Sequence, residues 1–190
     1  MITTKLRILM VEGVKEDADL ITCHLKKIVE NFELKVVDNI EDTAQALQNY
    51  IPDVVLSDYD LPTCTGLDIL NIIKEVDDSI PFIFITGSID DEELAENTIL
   101  AETSGYVLKK HMESLSEKLG PLLKRIAFEM IEKVELRDKI RKNKIAVNQI
   151  YSYIDDMTND NEEQKKNMYK IRKNIEQISL KDDKETKRSH

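Results

Sequence analysis

The sequence is most informative first in what it lacks. Its 190 residues include no tryptophan, and only 5% are aromatic. Its apolar runs are short, far below the length of a membrane-spanning helix, so the sequence reads as having no membrane segment. The start, Met1-Ile2-Thr3-Thr4-Lys5, has none of the layout of a signal peptide. Two cysteines, Cys23 and Cys64, exclude a disulfide framework and fit a reducing cytoplasm. Basic charge is also short: 27 Lys and Arg stand against 37 Asp and Glu, a net −10 that argues against nucleic-acid binding by the whole chain. All 5 glycines and 4 prolines lie at or before Pro121. The stretch beyond Pro121 is thus free of both residues that punctuate structure, and it can be almost wholly helical.

The charge divides at the same point. Residues 1–120 carry 10 basic and 24 acidic groups, a net −14, whereas residues 121–190 carry 17 and 13, a net +4. The organisation expected is a first domain over 1–120, a helical extension over 121–180 and a polar tail over 181–190. Within the first domain, short apolar runs alternate with amphipathic stretches. Leu6–Val11, Leu34–Val37, Asp53–Ser57, Pro81–Thr86 and Gly105–Lys109 read as strands. Helices are expected over 16–31, 41–50, 66–76 and 91–101. Runs 1, 3 and 4 are nearly continuous in apolar residues, as strands covered on both faces must be. Five strands alternating with helices imply an α/β fold with a doubly wound parallel sheet.

Beyond Pro121, Leu122, Ile126, Met130 and Val134 trace one helical stripe and read as the last helix of the domain. Ile140, Val147, Ile150, Ile154 and Met157 continue at a spacing closer to heptads. Thr158–Asn161 reads as a turn, and Met168, Ile171, Ile175 and Ile178 form a second stripe. A long helical hairpin or coiled coil is expected, its narrow stripes covered by each other or by a second protomer.

In doubly wound sheets ligands collect beyond the carboxyl ends of the strands. Strand 1 is followed there by Glu12, strand 3 by Asp58, Tyr59 and Asp60. Strand 4 ends in Thr86-Gly87-Ser88, and strand 5 in Lys109-Lys110. A carboxylate can accept a phosphoryl group if a hard divalent cation offsets the repulsion between anions. A lysine and a hydroxyl can hold the remaining phosphoryl oxygens.

These segments resemble the receiver domain of two-component response regulators. The likeness is carried by Ile8-Leu9-Met10-Val11-Glu12, by Val54 to Pro62, by Thr63 to Gly66, by Phe84-Ile85-Thr86-Gly87 and by Tyr106-Val107-Leu108-Lys109. It implies a flavodoxin-like strand order 2-1-3-4-5. It further implies Asp58 as phosphoacceptor, and Mg²⁺ held by Glu12, Asp58 and the backbone carbonyl of Asp60. Thr86 and Lys109 would bind phosphoryl oxygens, and Tyr106 with Thr86 would form a switch. The implied partner is a sensor histidine kinase, with a homodimer formed through the receiver or the C-terminal helices.

Two positions depart from the resemblance. Most receivers carry a second acid where this sequence has Gly13, which weakens the expected metal site. Lys110 stands where a proline is usual. The alternative is therefore a pseudo-receiver, a scaffold that no longer takes up phosphoryl groups. A phosphatase reading of Asp58 and Asp60 as nucleophile and general acid fails on Pro62 and on the lack of paired acids after a later strand, so no enzyme is expected. No histidine lies between Met112 and Ser189, which excludes the helical part as a phosphohistidine donor. His24 and His111 read as surface or boundary residues.

Overall fold

The computed structural model describes residues 1–87, 103–131 and 134–157. The helix expected over 91–101, the turn at 158–161, the second stripe at 168–178 and the tail at 181–190 lie outside the described residues.

The described chain runs β1 (Leu6–Val11), α1 (Lys15–Ile28), β2 (Phe32–Val37), α2 (Ile40–Asn49), β3 (Val54–Ser57), α3 (Gly66–Asp77), β4 (Phe82–Thr86) and β5 (Gly105–Leu108). A 3₁₀ segment over Lys109–Ser114 leads into α4 (Leu115–Ile131), and α5 spans Val134–Met157. The strands form one parallel sheet in the order β2-β1-β3-β4-β5, as the resemblance implied. The three central strands are those with the longest apolar runs, and every residue of β3 and β4 is buried. The edge strands β2 and β5 carry exposed positions, because each has a neighbour on one side only.

The period-2 alternation of a strand splits the core in two. Leu6, Ile8, Met10, Val54, Leu56, Ile83, Ile85 and Val107 face Ile21 and Leu25 of α1 and Leu119, Leu123 and Ile126 of α4. Leu9, Val11, Val55, Phe82 and Phe84 face Ala46 and Leu47 of α2 and Ile69, Leu70 and Ile73 of α3. Each helix presents its apolar residues three and four apart, which is the spacing of one helical face.

The last helix of the domain, expected from Leu122 onward, begins earlier, before Pro121. Gly120 and Pro121 lie inside α4, and the first compact unit extends from Met1 to Lys139. Pro121 removes one helical hydrogen-bond donor, but Leu119, Leu123, Ile126, Ala127 and Met130 are all buried in the sheet's first core. Packing on both sides of the proline keeps the helix continuous. The second unit covers Ile140–His190. In α5, none of the described side chains from Lys139 to Tyr151 is buried, and Ile150 of the expected stripe is exposed. His24, expected at the surface or boundary, is buried on α1, and burial together with Lys27 lowers its pKa from 6.5. No helix among the described residues is long and apolar enough to cross a membrane.

Candidate functional site

The strand register brings the expected residues to one edge. Val11 of β1 stands beside Ser57 of β3, Ser57 beside Phe84 of β4, and Thr86 beside Leu108 of β5. The residues that follow these positions, Glu12, Asp58 and Lys109, therefore emerge together. Asp58 begins with its backbone tied to β1, its N–H donating to the Val11 carbonyl at 2.9 Å.

The loop after β3 is held just as firmly. The N–H of Gly66 donates to the Tyr59 carbonyl at 2.7 Å. Thr65 caps α3 in a reciprocal capping box with Asp68, which satisfies helix N–H groups that would otherwise lack partners. Glycine is required at 66 because a Cβ there would come within 2.5 Å of both the Asp58 carbonyl oxygen and the Phe84 ring.

Asp58 is 6% exposed, and both its carboxylate oxygens are engaged. Oδ1 accepts from the Tyr59 N–H at 2.7 Å and from the Asp60 N–H at 3.4 Å, while Oδ2 accepts from Lys109 Nζ at 2.7 Å. Glu12 is also buried. Its Oε1 accepts from the Val14 N–H at 3.0 Å, and its Oε2 lies 2.8 Å from Lys109 Nζ without the alignment of a hydrogen bond. Burial is the largest influence on Glu12 and raises its pKa above 4.5, although Lys109 and the Val14 N–H pull it down.

A third carboxylate completes the set, and the sequence did not single it out. Asp17, in the first turn of α1, accepts from Lys109 Nζ through Oδ2 at 2.6 Å. For Lys109, burial lowers the pKa, but the hydrogen bonds to Asp17 and Asp58 and the nearby Glu12 carboxylate outweigh it and hold the ammonium above its usual range. Three carboxylates around one ammonium leave two uncompensated negative charges. Buried oxygen donors of this charge suit a hard divalent cation. Among the described residues, no three acids converge as ready metal ligands; the ammonium occupies the ground they share.

The remaining expected residues share this edge. Thr86 is fully buried at the end of β4. Among the described residues, nothing lies within 4 Å of a would-be Cβ at the neighbouring Gly87. Tyr106 pairs in register with Phe84, so it shares a sheet face with Thr86, and it is 40% exposed. Asp60 is exposed. Gly13 is a packing residue: a Cβ there would lie 2.5 Å from Cδ and 2.7 Å from Cγ of Pro62.

The family profile of the response regulator receiver domain matches residues 8–119, more than half of the chain. The luminescence regulatory protein LuxO of Vibrio campbellii is 35% identical over 83 residues, covering 43% of this chain and 18% of LuxO. The chemotaxis protein CheY of Halobacterium salinarum is 30% identical over 97 residues, covering 50% of this chain and 79% of CheY. Among solved structures, the LuxO receiver domain of Vibrio parahaemolyticus superposes with a TM-score of 0.59 at 24% identity, over 68% of this chain and 98% of its own. The receiver domain of a sensor histidine kinase from Pseudomonas aeruginosa gives 0.55 at 20% identity, over 65% and 98%; that structure has a magnesium ion coordinated in its active-site cleft. At such identities these structural matches speak to the fold.

Proposed function

The chain belongs to the response regulator receiver family of two-component signalling, and on that premise we propose that it accepts a phosphoryl group on Asp58 from a histidine kinase. The observation that carries this reading is the placing of Asp58 Oδ2 against Lys109 Nζ at 2.7 Å, with Oδ1 fixed by two backbone N–H groups. A carboxylate oriented in this way is aimed for in-line attack. An Asp58 oxygen forms the new bond to phosphorus as the bond to the kinase's imidazole nitrogen breaks, and the imidazole leaves with that electron pair. Lys109, already at the site, turns to the phosphoryl oxygens, and the Thr86 hydroxyl takes another. Mg²⁺, when bound, neutralises charge between the two anions; Glu12, Asp58 and the Asp60 carbonyl would hold it. Tyr106, on the same sheet face as Thr86, would report the change to the surface, and the basic helical extension would pass it on by dimerisation or partner binding.

A second reading is a scaffold that binds partners without phosphotransfer. It draws support from Gly13, which brings no second acid and packs where a Cβ would lie 2.5 Å from the Pro62 ring. One experiment separates the two. Addition of Mg²⁺ and beryllofluoride is expected to shift amide resonances around Asp58, Thr86 and Lys109, with no shift in Asp58→Asn. Absence of any change in the unaltered chain would reject the phosphoacceptor reading and leave the scaffold.

A further inference from the structure

Asp17 lies 92 residues from Lys109 in sequence, yet it makes the shortest of the three contacts to its ammonium, 2.6 Å against 2.7 Å for Asp58 and 2.8 Å for Glu12. We propose that Asp17 is a positioning residue of the phosphoacceptor site, a carboxylate delivered from α1 that holds the Lys109 ammonium against Asp58 where Gly13 brings no acid. The proposal rests on the phosphoacceptor reading given above.

Three observations lead to it. The end of β1 supplies no second carboxylate: residue 13 is glycine, packed so closely that a Cβ there would meet the Pro62 ring at 2.5 Å unless the ring moved. The next place from which an acid can reach the site is the first turn of α1, and Asp17 is there. Its position is fixed by the packing of its neighbours, since Ala18, Ile21 and Leu25 are buried against the sheet and prevent rotation of the helix.

The third observation is how the ammonium's donors are shared. Lys109 Nζ makes hydrogen bonds to Asp17 and Asp58, whereas the Oε2 of Glu12 is close without being aligned. Asp17 and Glu12 thus compete for one cation. With Asp17 in place the ammonium is aligned on Asp17 and Asp58; without it, the freed donor becomes available to Glu12 and the hold on Asp58 loosens. An acid in the first turn of a helix also favours the helix dipole, but that role needs no contact with Lys109.

The test compares the intact chain with Asp17→Asn and Asp17→Glu. Mg²⁺ with beryllofluoride carries one net positive charge, so both loss of charge and loss of alignment at residue 17 act against its binding. Asp17→Asn is expected to raise the half-saturating concentration about tenfold, the usual effect of removing a partner of a ligating group. Asp17→Glu should restore most of it. The ammonium is read separately: the ¹⁵Nζ signal of Lys109, identified by its loss in Lys109→Arg, should be slowly exchanging in the intact chain and in Asp17→Glu, and broadened in Asp17→Asn. A purely structural acid would lower the melting temperature of Asp17→Asn and leave the Lys109 signal and the ligand titration unchanged, which would overturn the proposal. If the intact chain fails to bind beryllofluoride, the phosphoacceptor reading falls, and the proposal falls with it.

Discussion

Replacing Lys109 by methionine tests the electrostatics of the site most directly. Among the described residues, its Nζ is the cation paired with Glu12 and Asp58, whose side chains are 1% and 7% exposed. Methionine keeps most of the aliphatic stem and removes the charge. Removing one member of a buried ionic group costs about 3–5 kcal/mol, because the remaining charges keep their desolvation penalty. The partial exposure of Asp17 puts this case at the low end, roughly 3 kcal/mol. For a domain of this size that corresponds to a fall in Tm of roughly 6–12 °C. The pH dependence has a definite sign. Lys109 is held above its ordinary pKa of 10.5, so its contribution is fully present below that pH and flat across pH 5–8. Glu12 is raised above 4.5, so it favours the folded state at low pH and costs stability as pH rises through its folded value. Without Lys109 that cost grows. The deficit of Lys109→Met should therefore be largest near pH 8 and shrink on acidification toward pH 5. Urea unfolding of both chains in EDTA at the two pH values measures it. A variant within about 0.5 kcal/mol of the parent at pH 8, the usual range for surface changes, would refute the reasoning.

Other consequences can be measured in the same way. Gly66→Ala forces a methyl against the Asp58 carbonyl and the Phe84 ring, each at 2.5 Å; it should cost about 1–3 kcal/mol in urea unfolding and shift the Asp58 amide resonance. Leu123→Ala, in the half of α4 beyond Pro121, should cost about 2–5 kcal/mol, since Leu123 is fully buried; a loss near zero would reject the packing of that half of α4 on the sheet. His24 is held neutral by burial, its pKa below 6.5. The unfolded chain therefore takes up a proton first, and stability should fall as pH drops below 6.5. His24→Leu should flatten that part of the profile, and an unchanged slope would reject the assignment.

Much of the site was legible before the fold was known. Glu12, Asp58, Thr86 and Lys109 each directly follow or end an apolar run, and a parallel sheet delivers such positions to one edge by construction. The central strands announced themselves because burial on both faces leaves no room for polar residues. Asp17 gave no such signal. An acid in the first turn of an amphipathic helix is ordinary, and only the packing of α1 on the sheet turns it toward a lysine on β5's far end. His24 was no more legible, for a related reason: a histidine on a helix is buried or exposed by a rotation that the neighbouring sheet decides.

Gly120 and Pro121 show the same division. Locally they favour a break in the helix, since proline removes a donor and glycine adds backbone freedom. In the fold, Leu115 and Leu119 before the pair and Leu123 and Ile126 after it are buried in one core with α1 and β5, and that burial outweighs one missing hydrogen bond. The sequence by itself determined the alternation of strands and helices, the acidic first domain and the residues at the strand ends. Tertiary structure alone decided which helical acid joins the site, how closely Gly13 packs against Pro62, and that α4 runs on through Pro121. Those three depend on contacts between segments distant in the chain, and local periodicity carries no record of them.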